Sequence, residues 1–446
     1  MRFSPINRFS VDKSISRIYY SIDLEALPII HMNAYAKVMR KSFKIDDKNL
    51  PDGSLSSRLK KLEEYVFFDV AKSKKEAILS GMDVIDLGGG NPDLPPHPKI
   101  IEALKKEADN PDNHRHPIYE GLPELKNAIA SWFERRFGIS LDPDSEILIL
   151  IGSKEGLSHV SLAFIDKGDG VLVPNPAYPA YRSGVILAGG KILDMPLLRE
   201  NFWRPDFKKL EEKNLSKVKL LFLNYPNNPT GAVADKKFFK EVVDFAKENE
   251  LVICHDMAYS EITFDGEKSG SILQIKGAKE RTLEFFSFSK TYGMTGWRLG
   301  FVVGDRKLIN ALKNVEVVVN SGAFHVLQKA AIVGLSLPDE AIQKVRQTYQ
   351  ERRDVLVNGL KELGWEVESP KGGIFVWAKI PYKKYDSKKS EFGSTGMTKL
   401  LIEKAGIVTV PGVGLGSYGE GYLRFSLIVD KERIKEAVER IKTLSF

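Results

Sequence analysis

Leu283-Glu284-Phe285-Phe286-Ser287-Phe288-Ser289-Lys290-Thr291-Tyr292-Gly293-Met294-Thr295-Gly296-Trp297-Arg298-Leu299-Gly300 is the stretch from which the fold can be read. Its opening residues, 283–288, are mostly apolar, as in a strand covered on both faces of a parallel sheet. The run ends in Ser289-Lys290, so a lysine stands at the mouth of a buried strand. Partial desolvation there lowers the pKa of the amine, which is what a Schiff-base lysine requires. Alone, such a lysine is more often a surface side chain lying along apolar neighbours. Its surroundings decide between the two.

Working outward, strand-length apolar runs lie at 84–88, 146–151, 170–174, 220–224, 251–255 and 299–304. Amphipathic stretches at 123–136, 236–249 and 307–318 separate several of them. Buried strands alternating with helices predict βαβ units and a largely parallel sheet. Beyond about residue 330 the pattern becomes a long helix at 340–363, strands at 373–380 and 422–427, and a closing helix at 431–443. That predicts a second, smaller α/β domain. The expected division is an extension of unknown role at 1–57, a small domain from 58–94 and 331–446, and a large domain at 95–330.

In an open parallel sheet, ligands bind beyond the carboxyl ends of the strands. The strand before Lys290 ends in Asp256, with Tyr259 three residues on. A carboxylate at a buried strand end needs a cationic partner. A protonated pyridine nitrogen is one, and the carboxylate then keeps the ring an electron sink. Tyr259 can hydrogen-bond the phenolic oxygen of such a ring. The preceding strand runs into Asn224-Tyr225-Pro226-Asn227-Asn228-Pro229-Thr230-Gly231. This is first a turn sequence, but Asn228 is also an amide donor for the same oxygen. Gly152-Ser153-Lys154-Glu155-Gly156 sits between a strand and a helix, where backbone N–H groups can hold a phosphate. With Ser287, Ser289 and Arg298 it makes a cup of donors suited to a dianion.

The run from Ser287 to Gly300 resembles the lysine signature of class I/II aminotransferases, which have fold type I. The Asn-Pro-Thr-Gly, Asp-x-x-Tyr and final Arg motifs follow in the same order, and the similarity covers about residues 58–446. The resemblance implies an α/β fold with a mostly parallel seven-stranded sheet between helices, plus a smaller α/β domain. It implies pyridoxal 5'-phosphate as cofactor and amino-acid and 2-oxo-acid substrates, with 2-oxoglutarate as acceptor in a ping-pong reaction. Lys290 would carry the cofactor and move the proton at the substrate α-carbon. Tyr178 would stack on the ring, Arg424 would grip the α-carboxylate, and Gly90 would lie over that carboxylate. The wording is most similar to LL-diaminopimelate aminotransferases and their alanine/aspartate-type relatives, in which the equivalents of Lys154 and Tyr65 also touch substrate. A homodimer with sites completed across the interface is implied as well.

Two departures from that pattern concern substrate and cofactor. The tyrosine that reaches the phosphate from the partner subunit falls at His116, five residues before Gly121; a neutral imidazole can still donate one hydrogen bond. At Lys371-Gly372-Gly373-Ile374-Phe375 the diaminopimelate group more often has bulkier residues than two glycines.

Composition narrows the alternatives. Hydrophobic residues make up 43% and charged residues 28%, as in a globular protein. The formal charge of +7 comes from 66 basic and 59 acidic residues mixed along most of the chain, a solvated surface more than a nucleic-acid footprint. One cysteine, Cys254, excludes an internal disulfide and agrees with a cytoplasmic enzyme. The seven histidines include no HExxH pair and no ligand cluster except His114 and His116, and no metal site is expected. No apolar run approaches the ~20 residues of a membrane span. Gly88-Gly89-Gly90 lacks the spacing of a dinucleotide fingerprint and runs into prolines, which speaks against a nicotinamide dehydrogenase. A nearer rival is another fold type I enzyme, such as a C–S lyase, since the electron sink serves any α-carbanion.

Overall fold

Alternate residues of the central strands enter opposite cores, so the sheet is covered on both faces. In the strand Val218–Asn224, for example, Leu220 and Phe222 pack on one side while Leu221 and Leu223 pack on the other. The structure, a computed structural model, describes residues 55–62, 67–381 and 393–444. By its contacts the chain separates into Met1–Ser56 and Ser57–Phe446, and every strand and helix named here belongs to the second unit.

Strand β1 (Ile85–Asp86) comes first, then seven strands that share one sheet: β2 (Ile147–Leu150), β3 (Gly170–Asn175), β4 (Lys191–Pro196), β5 (Val218–Asn224), β6 (Val252–Asp256), β7 (Thr282–Ser287) and β8 (Gly300–Gly304). Their order is β2-β8-β7-β6-β5-β3-β4. Pairings from β4 to β7 are parallel, and only β8 runs against its two neighbours. Five short strands follow: β9 (Glu366–Val367), β10 (Phe375–Lys379), β11 (Ile407–Val408), β12 (Val410–Pro411) and β13 (Tyr422–Ser426). β12, β13, β10 and β9 form an antiparallel sheet, and β1 pairs with β11.

The helices expected from amphipathic spacing are present at Pro123–Phe137, Lys236–Glu248, Arg306–Val319, Asp339–Glu362 and Lys431–Lys442. Their starts are written locally: Asp235, Asp305 and Asp430 each accept a first-turn backbone N–H on the side chain. One strand of the large sheet is absent from the apolar runs of the sequence. β4 lies at the edge and only Met195 of its six residues is fully buried, so it lacks the apolar run of its neighbours. The run at 84–88 joins β11 instead of the large sheet.

This topology places the site. The ends of β2, β3, β5, β6 and β7 and the start of β8 share one edge of the sheet. The antiparallel sheet carries Phe375 and Arg424 to the same cavity.

Candidate active site

A cavity of about 300 Å³ opens at that edge, a volume suited to a small ligand. Twelve of the fourteen residues expected from the sequence surround it: Gly90, Ser153, Lys154, Tyr178, Asn228, Asp256, Tyr259, Ser287, Ser289, Lys290, Arg298 and Arg424. Tyr65 lies outside the described residues, as do residues 1–54. His116 is exposed and does not line the cavity of its own chain; its imidazole packs at 5.5 Å from the Tyr119 ring.

Lys290 sits on the one-turn helix Phe288–Thr291, where the Ser287 hydroxyl accepts the Ser289 N–H at 3.1 Å. Its Nζ donates to the carbonyl of Gly90 at 2.6 Å. Desolvation, followed by repulsion from Arg424 and Arg298, lowers its pKa to about 8, with Asp256 pulling the other way. Asp256 closes β6 and is buried. Burial raises its pKa, against hydrogen bonds from the Tyr181 hydroxyl at 2.6 Å and the Ala258 N–H at 3.1 Å. This carboxylate suits a ligand that brings its own N–H or positive charge.

The loop after β5 is locked from inside. Asn224 donates to the Asp256 carbonyl at 2.8 Å and accepts from the Asn228 N–H at 2.7 Å. The Asn228 Oδ1 accepts from Arg424 at 3.0 Å, so its amide nitrogen is the end that can donate to a ligand oxygen. Arg424 also donates to the Gly88 carbonyl at 3.0 Å, and its guanidinium lies 4.1 Å over the Phe375 ring. Burial pushes the Tyr259 hydroxyl well above its usual pKa, which keeps it a proton donor.

The anion end is built from a turn and a helix. Thr295 binds the Ser289 carbonyl and Arg298 binds the Thr295 carbonyl, both at 3.0 Å. That turn holds Arg298 in a left-handed conformation, with its guanidinium against Gly152. Gly152 itself has φ +82°, and a Cβ there would meet Arg298 Nη2 at 2.6 Å. The helix Ser153–Phe164 begins at this point; the Glu155 N–H bonds the Gly152 carbonyl at 3.1 Å, and the Ser153 and Lys154 N–H groups at the helix start suit an anion. Its third residue, Glu155, accepts the Ile151 N–H at 2.6 Å. Glu155 and Glu316 both accept from Asn320, and Glu316 also binds His159, whose pKa it raises.

Tyr181, Asn224 and Phe375 join the site without having been expected there, although Asn224 and Phe375 lie within stretches that the sequence singled out. Tyr181 follows Tyr178 by three residues, which was the available signal; its ring stacks on Phe222, a contact between elements that spacing does not reveal. The two glycines at 372 and 373 have a packing reason. A Cβ on Gly372 would meet Pro226 at 2.8 Å, and Gly373 has φ +82°.

The model for aminotransferase class I and II matches residues 82–441 of this chain. An LL-diaminopimelate aminotransferase from Moorella thermoacetica is 47% identical over 385 residues, which is 86% of this chain and 97% of that protein. One from Aquifex aeolicus is 46% identical over 389 residues, 87% of this chain and 98% of that protein. A substrate-bound structure of BacF from Bacillus subtilis superimposes with a TM-score of 0.83 at 39% identity, covering 88% of this chain and 98% of that one. The chain belongs to the class I and II aminotransferase family, has its fold, and is a transaminase.

Proposed function

We propose that this transaminase moves an amino group from LL-diaminopimelate to 2-oxoglutarate, with pyridoxal 5'-phosphate held on Lys290. The observation that carries the cofactor reading is the meeting of a desolvated lysine, a buried carboxylate and a buried guanidinium in one cavity. The cavity's groups fit the cofactor: Asp256 suits a pyridinium N–H, while Ser153, Ser287, Ser289 and Arg298 suit the phosphate. When bound, the cofactor supplies an electron sink for the pair left at the substrate α-carbon.

The protein's own residues do the rest. Arg424 binds the α-carboxylate of donor and acceptor in turn, so both half-reactions use one grip. Lys290 Nζ, neutral above about pH 8, would take the proton from the substrate α-carbon and hold it for return. Tyr178 would stack on the cofactor ring, and Asn228 and Tyr259 would hold its phenolic oxygen. Gly90 leaves room over the carboxylate. The donor leaves as a 2-oxo acid, and 2-oxoglutarate leaves as glutamate, so no outside oxidant is needed.

The donor rests on the two relatives named for LL-diaminopimelate and on Lys154, a cation at the cavity wall able to meet a second carboxylate. Tyr65 is proposed to touch the same end. A homodimer is proposed too, with His116 donating to the phosphate in its partner's site, and so is a cytoplasmic setting; no described helix is long and apolar enough to cross a membrane. The small antiparallel sheet supports the division into a large domain at 95–330 and a small one from 58–94 and 331–446.

The test is a panel of donors against 2-oxoglutarate: LL-diaminopimelate, alanine, aspartate and glutamate. Preference for alanine or aspartate would move the enzyme to that group. Ammonia and a keto acid formed without an acceptor would make it a lyase. Borohydride reduction of the holoenzyme should leave a phosphopyridoxyl group on Lys290 and on no other lysine.

A further inference from the structure

Lys290 and Arg424, the two basic residues at the heart of the proposed reaction, both donate to one glycine-rich loop. Lys290 Nζ meets the Gly90 carbonyl at 2.6 Å, and Arg424 Nη2 meets the Gly88 carbonyl at 3.0 Å. The loop has little side chain of its own to pack, so its shape comes from what holds its ends. At one end, Asp86 accepts the N–H groups of Gly88 and Gly89 at 2.8 and 3.2 Å and is itself held by Lys74. At the other end, Arg352 grips Asp93 with both prongs of its guanidinium, at 2.8 and 2.7 Å. Arg352 is a buried residue on the helix Asp339–Glu362, its side chain only 6% exposed. It also donates at 3.0 Å to the carbonyl of Leu427, one residue past the strand that carries Arg424.

One guanidinium thus ties the loop to the strand bearing the substrate grip. Resting on the transaminase reading above, we propose that Asp93 and Arg352 are positioning residues for the substrate α-carboxylate. The fork fixes the loop, and with it the Gly88 carbonyl, which serves as a neutral stand-in acceptor for Arg424 until a carboxylate arrives. A neutral carbonyl orients a cation yet gives way to a carboxylate, because charge-assisted bonds are roughly twice as strong. An acidic side chain in its place would compete with every substrate. A bidentate Arg–carboxylate pair fixes orientation as well as distance, so the pair can hold a glycine loop where one exposed ion pair could not.

All substrates present the same α-carboxylate, so loosening the loop must weaken all of them by one common factor. Asp93→Asn should raise KM for each active amino donor and for 2-oxoglutarate alike, by about tenfold, with kcat within about twofold. Arg352→Lys, which keeps the charge but loses the fork, should do the same. The double variant should be no worse than either single one, because the two residues act as a unit. Amide exchange at residues 87–91 should be faster in Asp93→Asn, with or without cofactor, and this readout needs no turnover. Unchanged exchange would overturn the proposal, as would unchanged KM beside a lowered melting temperature, or a KM rise confined to one donor. Absence of turnover in the unaltered enzyme would instead count against the transaminase reading, and exchange at the loop would still decide the positioning role.

Discussion

Lys290 is a better nucleophile than an ordinary lysine because its ammonium form is held in a poor place. Burial removes water from the charge and Arg424 and Arg298 repel it, while Asp256 recovers only part of the loss. A lowered pKa means that the neutral amine dominates from about pH 8 upward. Below that value the neutral fraction falls about tenfold per pH unit. Capture of pyridoxal phosphate by the apoenzyme should therefore accelerate with pH and level off near 8. A rate still climbing at about pH 10 would mean that Lys290 is solvated like a surface lysine. Tyr181 belongs to the same scale. Its hydroxyl donates to buried Asp256 at 2.6 Å, and a hydrogen bond to a charged group is worth about 1.5–3 kcal/mol. Tyr181→Phe keeps the ring stacked on Phe222 and removes only that bond. The carboxylate then protonates more readily and holds a ring N–H less well, so cofactor affinity should fall by about tenfold or more. Titration of apoenzyme by fluorescence measures it, and unchanged affinity would show that Asp256 does not depend on Tyr181.

At the scale of elements, the anion cup depends on a turn and a helix start meeting without a side chain between them. Gly152 has a positive φ and touches Arg298. Gly152→Ala adds backbone strain of about 1–3 kcal/mol and forces the guanidinium off the cup. The variant should lose phosphate affinity more than it loses thermal stability. Inorganic phosphate protection of the apoenzyme against heat separates the two, and equal protection in both proteins would refute the cup. Elements of this kind were legible in the sequence because strand-end motifs put chemistry where open α/β sheets bind ligands. Lys290, Asp256, Asn228 and the Gly152–Ser153 turn all follow continuous apolar runs, and the structure gathers them in one cavity. What was not legible depends on packing between distant elements. β4 hides because an edge strand buries one face poorly, and the role of Phe375 appears only when β10 pairs with β13 and brings it under Arg424. Gly372 reads as a substrate signal in sequence but packs against Pro226 in the fold.

On the scale of the whole molecule, the proposed dimer has a surface to match it. The helix Arg306–Val319 ends in Val317, Val318 and Val319, all exposed, with Val318 at 85%. The chain then turns at Gly322, whose Cβ position lies 2.9 Å from the Ile118 carbonyl, and Phe324 packs 5.6 Å from His114. Ile118, Tyr119 and Phe324 are exposed as well. Exposed apolar residues are ordinary when scattered, but a group at one place marks a contact. His116 stands among them, which is where a residue must be to reach a neighbour's phosphate. Val318→Asp puts a charge into that contact and should shift the protein from twice the chain mass to the single chain in sedimentation. Activity should fall with dimer content and recover as protein concentration rises, because the site is then limited by association. Phe202, exposed but remote from this group in the chain, supplies the control: Phe202→Asn should leave mass and activity alone. A Val318→Asp protein that stays at twice the chain mass with full activity would place the interface elsewhere, and with it the proposed reach of His116.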